Sequence, residues 1–422
     1  LIGELRCWIM LIRYSAKVLP IEEKPLICTL QREVLLSILN PINTSQLHLL
    51  EIVDKSKCSG CHSCMNICPK NCIKMKVDEE GFWYPQVDKE KCIECGICKK
   101  RCPILNDMSI ENNPKAYACY NLDEEIRKES SSGGIFTLLA SYIIDNGGIV
   151  YGAAFNQNFE VEHIKVTDKQ DLSKLQGSKY VQSKLGSTYS KIKVYLEQGK
   201  LVYFSGTPCQ IDGLLCFLNK KYNNLICQDI VCHGVPSPNV WKHYLKQFNL
   251  EKNAKILFRD KSTGWDSYSF TIEQKNKFTQ LSSNNEFMKV FIKDLCLRPS
   301  CYDCQSKSLH RNSDITLADF WGIKEICPDM YDDKGTSLVF VNSKKGQEIF
   351  NEIISDIKYQ EVDINEASKY NPSSFKSVII PDKRQEYFEG VFNSDFNKFS
   401  KKYTKLSFIL RVKILIYNLL RR

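Results

Sequence analysis

A chain of 422 residues, 43% hydrophobic and 25% charged, has the composition of a soluble globular protein of two or three domains and excludes a disordered or fibrous one. Its net charge of +9 is spread along the chain, which reads as a solvated lysine-rich surface rather than a nucleic-acid module. Twenty cysteines without a secretory signal predict free thiols in a reducing, cytoplasmic setting.

Residues 1–50 lack the spaced cysteines that follow. Their apolar runs are broken by Glu4, Arg6 and Arg13, well short of the roughly 20 residues of a membrane span, and no small-residue cleavage site follows them. They are read as an N-terminal extension outside the fold. From there Cys58, Cys61, Cys64 and Cys68 precede Pro69, and Cys92, Cys95, Cys98 and Cys102 precede Pro103, so C-x2-C-x2-C-x3-C-P occurs twice. This is the bacterial run for a pair of four-iron clusters. Three thiolates two residues apart wrap one cubane, and the fourth caps the other. The spacing predicts one cluster on Cys58, Cys61, Cys64 and Cys102, and a second on Cys92, Cys95, Cys98 and Cys68. Structural zinc fits less well, because its cysteines come as two separated pairs. Between the runs Ile73, Met75 and Val77 alternate with polar residues, and Glu80-Gly81 turns into Phe82-Trp83-Tyr84, a hairpin pattern. Cys72, outside the ligand pattern, reads as a small buried hydrophobe.

After Pro114 strands and helices alternate. Strands are predicted at 115–120, 149–155, 201–204 and 225–231, with helices at 135–146 and 210–218. A helix between two strands implies a right-handed crossover and parallel pairing, with sites at the carboxyl ends of the strands. Further on, 256–260 and 267–273 read as a hairpin about Gly264-Trp265. Helices at 285–297 and 346–357 and strands at 315–318 and 337–342 complete the pattern. In the last residues Leu406, Ile409, Leu410, Ile414, Leu415 and Leu419 oppose Arg411, Lys413, Arg421 and Arg422. That basic amphipathic helix suits a membrane surface, a partner or its own domain equally.

Cys209 opens a helix after one predicted strand, where backbone amides favour a thiolate, and Cys232 follows the next strand. With the C-x2-C pair Cys301 and Cys304 they make four ligands, enough for a third four-iron cluster; zinc or a redox disulfide would use the same residues. Cys119, Cys216, Cys227, Cys296 and Cys327 read as core or surface thiols. Two loops suit a nucleotide. Ser130, Ser131, Ser132, Gly133 and Gly134 precede a helix, whose first amides attract phosphate, and Gly177-Ser178-Lys179-Tyr180-Val181-Gln182-Ser183 offers a lysine, an aromatic ring and an amide to a flavin. Clusters move single electrons and most metabolites exchange two, so a flavin is the expected adaptor.

With these motifs in view the sequence, over about residues 53–342, resembles the coenzyme F(420) hydrogenase/dehydrogenase beta-subunit family with a ferredoxin domain fused in front. The resemblance rests on the doubled cysteine run, on Ser131-Ser132-Gly133-Gly134, on the Lys179 segment, on Gly206-Thr207-Pro208-Cys209-Gln210, on Cys232-His233-Gly234-Val235-Pro236-Ser237, on Arg298-Pro299-Ser300-Cys301 and on residues 314–322. It implies FAD held by Ser131, Ser132, Gly133 and Gly134 and by Ser178, Lys179, Tyr180 and Gln182, with a four-iron cluster on Cys209, Cys232, Cys301 and Cys304 beside it. The expected fold is α+β or α/β: a small ferredoxin-like domain with two clusters over 51–107, a larger mixed α/β flavin-binding domain over 114–380 and a tail over 381–422. The expected function is an iron–sulfur flavoprotein oxidoreductase that takes electrons from a ferredoxin or other redox partner and exchanges hydride with a small organic substrate, of the coenzyme F(420) type or another. The alternative is a non-catalytic electron-transfer subunit of a larger complex. Lys179, His233 and Asp319 are unranked candidates for the proton donor.

Overall fold

The computed structural model describes residues 54–405, so the extension over 1–50 and the amphipathic stretch from residue 406 lie outside the described residues. The cysteine-rich segment is built on a hairpin, β1 (Ile73–Val77) and β2 (Trp83–Val87), paired antiparallel with Ile73 opposite Val87. The chain reverses at Gly81, whose φ of +93° suits glycine, and Phe82 N donates to Asp78 Oδ1 at 2.8 Å. Of the three alternating apolar residues only Ile73 is buried; Val77 is 51% exposed. Phe82 and Trp83 supply the buried side instead, because that end of the hairpin is the one covered by the rest of the protein. Two short helices, Ser63–Ile67 and Ile97–Lys100, start within the cysteine runs from left-handed residues, His62 (φ 62°) and Gly96 (φ 68°), which curl each run back on itself.

The remaining strands are β3 (Lys115–Asn121), β4 (Ile149–Phe155), β5 (Val161–Val166), β6 (Val202–Gly206), β7 (Leu225–Ile230), β8 (Lys255–Asp260), β9 (Ser269–Glu273), β10 (Phe278–Leu281), β11 (Ile315–Asp319), β12 (Ser337–Val341) and β13 (Ile357–Val362). Eight form one sheet in the order β13-β3-β12-β11-β7-β6-β4-β5. Its centre, β4, β6, β7 and β11, is parallel, and antiparallel strands flank it. The helix Pro208–Leu218 crosses from β6 to β7, as their helix-separated spacing requires. Helices cover both faces: Leu139, Ile143 and Phe350 pack on one, Ile192, Leu214 and Phe217 on the other. Burial on both sides explains why β12 reads as an apolar run rather than an alternating one, and β7 is buried in the same way through Asp229. The fold is mixed α/β with a ferredoxin-like segment at its front, and among the described residues no helix is long and apolar enough to cross a membrane.

Several expectations need correction. The hairpin over 256–273 gains a third strand, β10. The helix expected over 285–297 spans only Glu286–Ile292, because Asp294 takes a left-handed φ of 60°. That expected over 346–357 is Lys344–Glu352, and Ile357 instead opens β13, an edge strand whose exposed middle hides its period. Residues from 381 on do not begin as a tail. The helices Arg384–Val391 and Phe396–Thr404 bury Tyr387, Phe388, Val391 and Phe396 in an aromatic core with Trp241, Phe258, Phe270 and Phe287. Their apolar residues are interleaved with charges at helical spacing, which resembles a solvated helix until the facing surface is known.

Trp241 centres that core, with ring centroids 5.0 Å from both Phe258 and Phe287 and its indole N–H donating to Phe159 O at 2.8 Å. Trp241→Ala is expected to destabilise the protein by about 3–5 kcal/mol, read from the denaturant midpoint.

Candidate functional site

Twelve cysteines of the predicted pattern fall into three sets in space. Burial raises Cys61 to about 12, and Cys102 and Cys58 push it in the same direction. Burial also holds Cys64 well above the ordinary thiol value, with Cys61, Cys58, Cys102 and Cys98 adding to it. Cys102, from the second run, therefore stands with Cys58, Cys61 and Cys64. In the second set burial raises Cys98, and Cys95 and Cys68 contribute. Cys95 is exposed, so this set reaches the surface there, although Cys68 and Cys98 are buried. The third set belongs to the larger domain. Burial raises Cys209 well above its ordinary value, and Cys304, Cys232 and Cys301 add to that push. Thiols held protonated in this way ionise when a metal binds them. Among the described residues no three His, Cys, Asp or Glu side chains close around a single metal ion. Four thiols brought together from two or three segments of the chain do fit the donor requirement of a four-iron cluster.

Cys72 is a residue the spacing did not single out. It is buried, with its Sγ 3.2 Å from that of Cys68. Burial raises it to about 12, with Cys68 and Cys92 adding to that, which places it against the second set. Only its position four residues after Cys68 hinted at this.

Parallel pairing of β6 and β7 brings Cys209 and Cys232 to one sheet edge. The helix carrying Cys209 is fixed by a capping box between Thr207 and Gln210, and Thr207 Oγ1 lies 3.2 Å from Cys209 Sγ. Arg298 N bonds to Val235 O, and Val235 N donates to Cys301 Sγ at 3.4 Å, tying the C-x2-C loop to the loop after Cys232. One helical turn beyond Cys209, Gly213 touches the first set: a Cβ there would meet Cys61 Sγ at 2.9 Å. Tyr189 feels both Cys61 and Cys209 and donates to Gln210 O at 2.6 Å. The first and third thiol sets thus lie on either side of a single helical turn, whose rise is about 5.4 Å.

A cavity of about 550 Å³ opens at the carboxyl ends of β6, β7 and β11 and reaches Cys232. Both candidate nucleotide loops line it, and they meet: Ser131 Oγ accepts from Ser178 N at 2.7 Å and from Ser178 Oγ at 3.0 Å. Ser132, Gly134, Lys179 and Tyr180 line it as well. Lys179 Nζ donates to Gln176 O at 2.7 Å, and burial lowers it to about 7. Two predicted contacts lie elsewhere. Gly133 is pressed against Cys119 O, which leaves no room for a Cβ, and supports the loop from beneath through its N–H to Ser337 Oγ at 3.0 Å. Gln182 faces the ferredoxin segment, with its amide donating to Ser59 O at 3.2 Å and accepting from Arg298 at 3.1 Å. All three candidate proton carriers reach the cavity: Lys179, His233, which pairs with Asp294 at 2.5 Å, and Asp319, which pairs with Arg259 at 2.8 Å. A larger opening of about 720 Å³ beside Met288 and Lys401 has no thiol and neither loop on its wall.

Arg298 joins the two parts of the protein. Fully buried, it donates to Cys58 O at 2.7 Å, Trp83 O at 3.0 Å and Gln182 Oε1 at 3.1 Å, with its guanidinium 4.2 Å from the Tyr84 ring centre. The arginine of the Arg298-Pro299-Ser300-Cys301 segment is therefore a structural bolt between the first and third sets.

Family models match the chain in the same order of parts, the cysteine-rich segment first and the larger domain after it. Residues 57–105 match the 4Fe-4S dicluster domain, residues 116–189 the family described as coenzyme F(420) hydrogenase/dehydrogenase, beta subunit N-term, and residues 199–367 its C-terminus. A coenzyme F(420)-dependent sulfite reductase of Methanocaldococcus jannaschii is 24% identical over 84% of this chain and 55% of its own length, so the chain spans about half of that relative. An uncharacterized protein of the same organism is 24% identical over 76% of this chain and 93% of its own. A solved structure of the F(420)-reducing [NiFe] hydrogenase complex of Methanosarcina barkeri, derivatised with xenon, aligns with a TM-score of 0.44 and 18% identity, covering 67% of this chain and 93% of that one. With the two beta-subunit regions matched in sequence order behind a dicluster domain, the chain belongs to the coenzyme F(420) hydrogenase/dehydrogenase beta-subunit family of iron–sulfur oxidoreductase proteins.

Proposed function

We propose that the chain is a cytoplasmic iron–sulfur flavoprotein oxidoreductase. It takes electrons from a ferredoxin or other redox partner at the Cys92, Cys95, Cys98 and Cys68 set, where Cys95 reaches the surface, and passes them through the Cys58, Cys61, Cys64 and Cys102 set to a third four-iron cluster on Cys209, Cys232, Cys301 and Cys304. Ser131, Ser132, Gly134, Ser178, Lys179 and Tyr180 would hold FAD in the adjoining cavity, where it would supply hydride exchange with an organic molecule, coenzyme F(420) being one candidate. The observation that carries the reading is one line of contacts: Cys61 against Gly213, Gly213 one turn from Cys209, and Cys232 on the wall of the cavity that both nucleotide loops line. When bound, the clusters supply single-electron transfer and the flavin the exchange between one- and two-electron chemistry. The protein's own residues position and insulate. Ser131 and Ser178 hold the two loops together, Tyr180 stacks on Phe291 with centroids 4.8 Å apart, and Lys179 brings a titratable cation to the anionic cofactor.

The test is anaerobic purification with iron, sulfide and flavin quantified per chain. About twelve irons and one FAD are expected. About eight irons without flavin would withdraw the enzyme reading and leave the ferredoxin segment alone. A full complement that fails to oxidise any hydride donor would favour a purely electron-relaying subunit.

A pH dependence follows from Lys179. Because burial lowers it to about 7, it is cationic below that pH and neutral above. FAD is an anion, so its dissociation constant is expected to rise as pH increases from about 6 to about 8, read by flavin fluorescence, and Lys179→Met should flatten the profile.

A further inference from the structure

One strong donor in the cavity is not spent on the fold. Arg259, on β8, lines the cavity with a side chain only 2% exposed and gives NH1 to Asp319 Oδ2 at 2.8 Å. Its Nε and NH2 are left without a hydrogen-bond partner in this geometry, with the Tyr180 hydroxyl standing beside the guanidinium on the same cavity wall. Those two nitrogens form one edge of the guanidinium, the edge that pairs side-on with a carboxylate or phosphate through two parallel N–H···O bonds. The plane is held in place: its central carbon lies 3.9 Å from the Tyr268 ring centre and 5.1 Å from that of Trp321, and Trp321 is stacked on Trp265 at 4.9 Å and 13°. Asp319 balances the charge from the opposite side, so the free edge is oriented before any ligand arrives. Buried donors are almost always paired in folded proteins, and a fixed unpaired fork on a cavity wall is the signature of an acceptor supplied from outside.

We infer that Arg259 is the oxyanion site of this cavity, taking the carboxylate or phosphate of an organic molecule bound beside Cys232. The inference rests on the reading of the cavity as the place where cofactor and substrate meet. The oxyanion belongs either to the FAD pyrophosphate or to an acidic group on the substrate, and the two sources separate experimentally.

The full chain, purified anaerobically and freed of flavin, is titrated by calorimetry with two pairs of probes. FAD is compared with riboflavin, and 5-deazariboflavin 5′-phosphate with 5-deazariboflavin. The wild type is expected to prefer the anionic member of a pair by on the order of 10- to 100-fold. Arg259→Met with Asp319→Asn, which keeps the site electroneutral, should abolish that preference, and Arg259→Lys should retain part of it because the charge persists without the fork. Loss in the flavin pair alone supports the site with the cofactor as its oxyanion; loss in the deazaflavin pair supports it with the substrate. Unchanged preferences in both pairs would overturn the inference. Inorganic phosphate is titrated in parallel, and binding by the wild type but not by the double variant supports the site even if no flavin compound binds. Equal phosphate binding by both, again with no flavin compound bound, overturns it. Failure of the flavin probes alone thus strikes the functional reading and not this one.

Discussion

Cys209→Ser is expected to remove about four irons per chain and to cut the cavity off from the ferredoxin segment while leaving the fold intact. Serine keeps the shape of the side chain at the second residue of a helix whose start is fixed independently by Thr207 and Gln210, with Gln210 Oε1 accepting from Thr207 N at 3.0 Å. What it removes is one thiolate of four, from a set in which Cys304, Cys232 and Cys301 are the neighbours. The eight cysteines of the two ferredoxin runs are untouched, so their absorption and electron paramagnetic resonance signals should persist. Reduction of the bound flavin by a chemically reduced ferredoxin should fall to background, because no carrier then bridges the turn between Cys61 and the cavity. Cys216→Ser is the control: its thiol sits 3.2 Å from Met108 Sδ, its cysteine neighbour is Cys102 rather than a member of the third set, and as it is no ligand in the proposal iron content should not change. Full iron content in Cys209→Ser would remove the third cluster from the proposal.

The sequence exposes this route unevenly, for a physical reason. A ferredoxin-type cluster takes three of its four ligands from one tight loop, so the doubled cysteine run is a local pattern, and strands joined by a helix announce parallel pairing locally too. That suffices to bring Cys209 and Cys232 to one edge. What it cannot show is contact between segments far apart in the chain. Ser131 and Ser178 are two separate loops on paper and one wall in the fold. Gln182 reads as part of the flavin loop, yet its side chain is turned to Ser59 and Arg298, because the neighbouring Val181 occupies the apolar core instead. Arg259 carries no motif; only the hydrogen-bond inventory around it reveals two idle donors. Likewise β13 hides behind an exposed polar face, and the helices after residue 381 bury aromatic residues that read as a tail until the core they meet is present.

Arg298→Met is expected to loosen the attachment of the ferredoxin segment, with a loss of about 3–5 kcal/mol in stability. The variant keeps much of the volume and apolar stem but deletes every donor. Cys58 O, Trp83 O and Gln182 Oε1 are then left buried without their partner, and the cation is lost from above Tyr84. Because these acceptors lie on both cysteine-bearing parts, the loss should be local before it is global. Amide exchange across residues 73–87 should accelerate while the sheet around β7 stays protected. Arg298→Lys should recover only part of the loss, since an ammonium cannot reach three acceptors in the guanidinium's fixed directions. Charge supplies a second readout. Arg298 favours the ionised form of Cys301, so its positive charge reaches the third set, and its bond to Cys58 O puts it beside the first as well. Removing that charge makes an added electron less welcome at both sets. In spectroelectrochemical titration their midpoints should move to more negative values in Arg298→Met, while the set around Cys95, which Arg298 does not touch, keeps its own. A uniform shift of all three, or none, would mean that Arg298 holds the protein together without tuning its electron path.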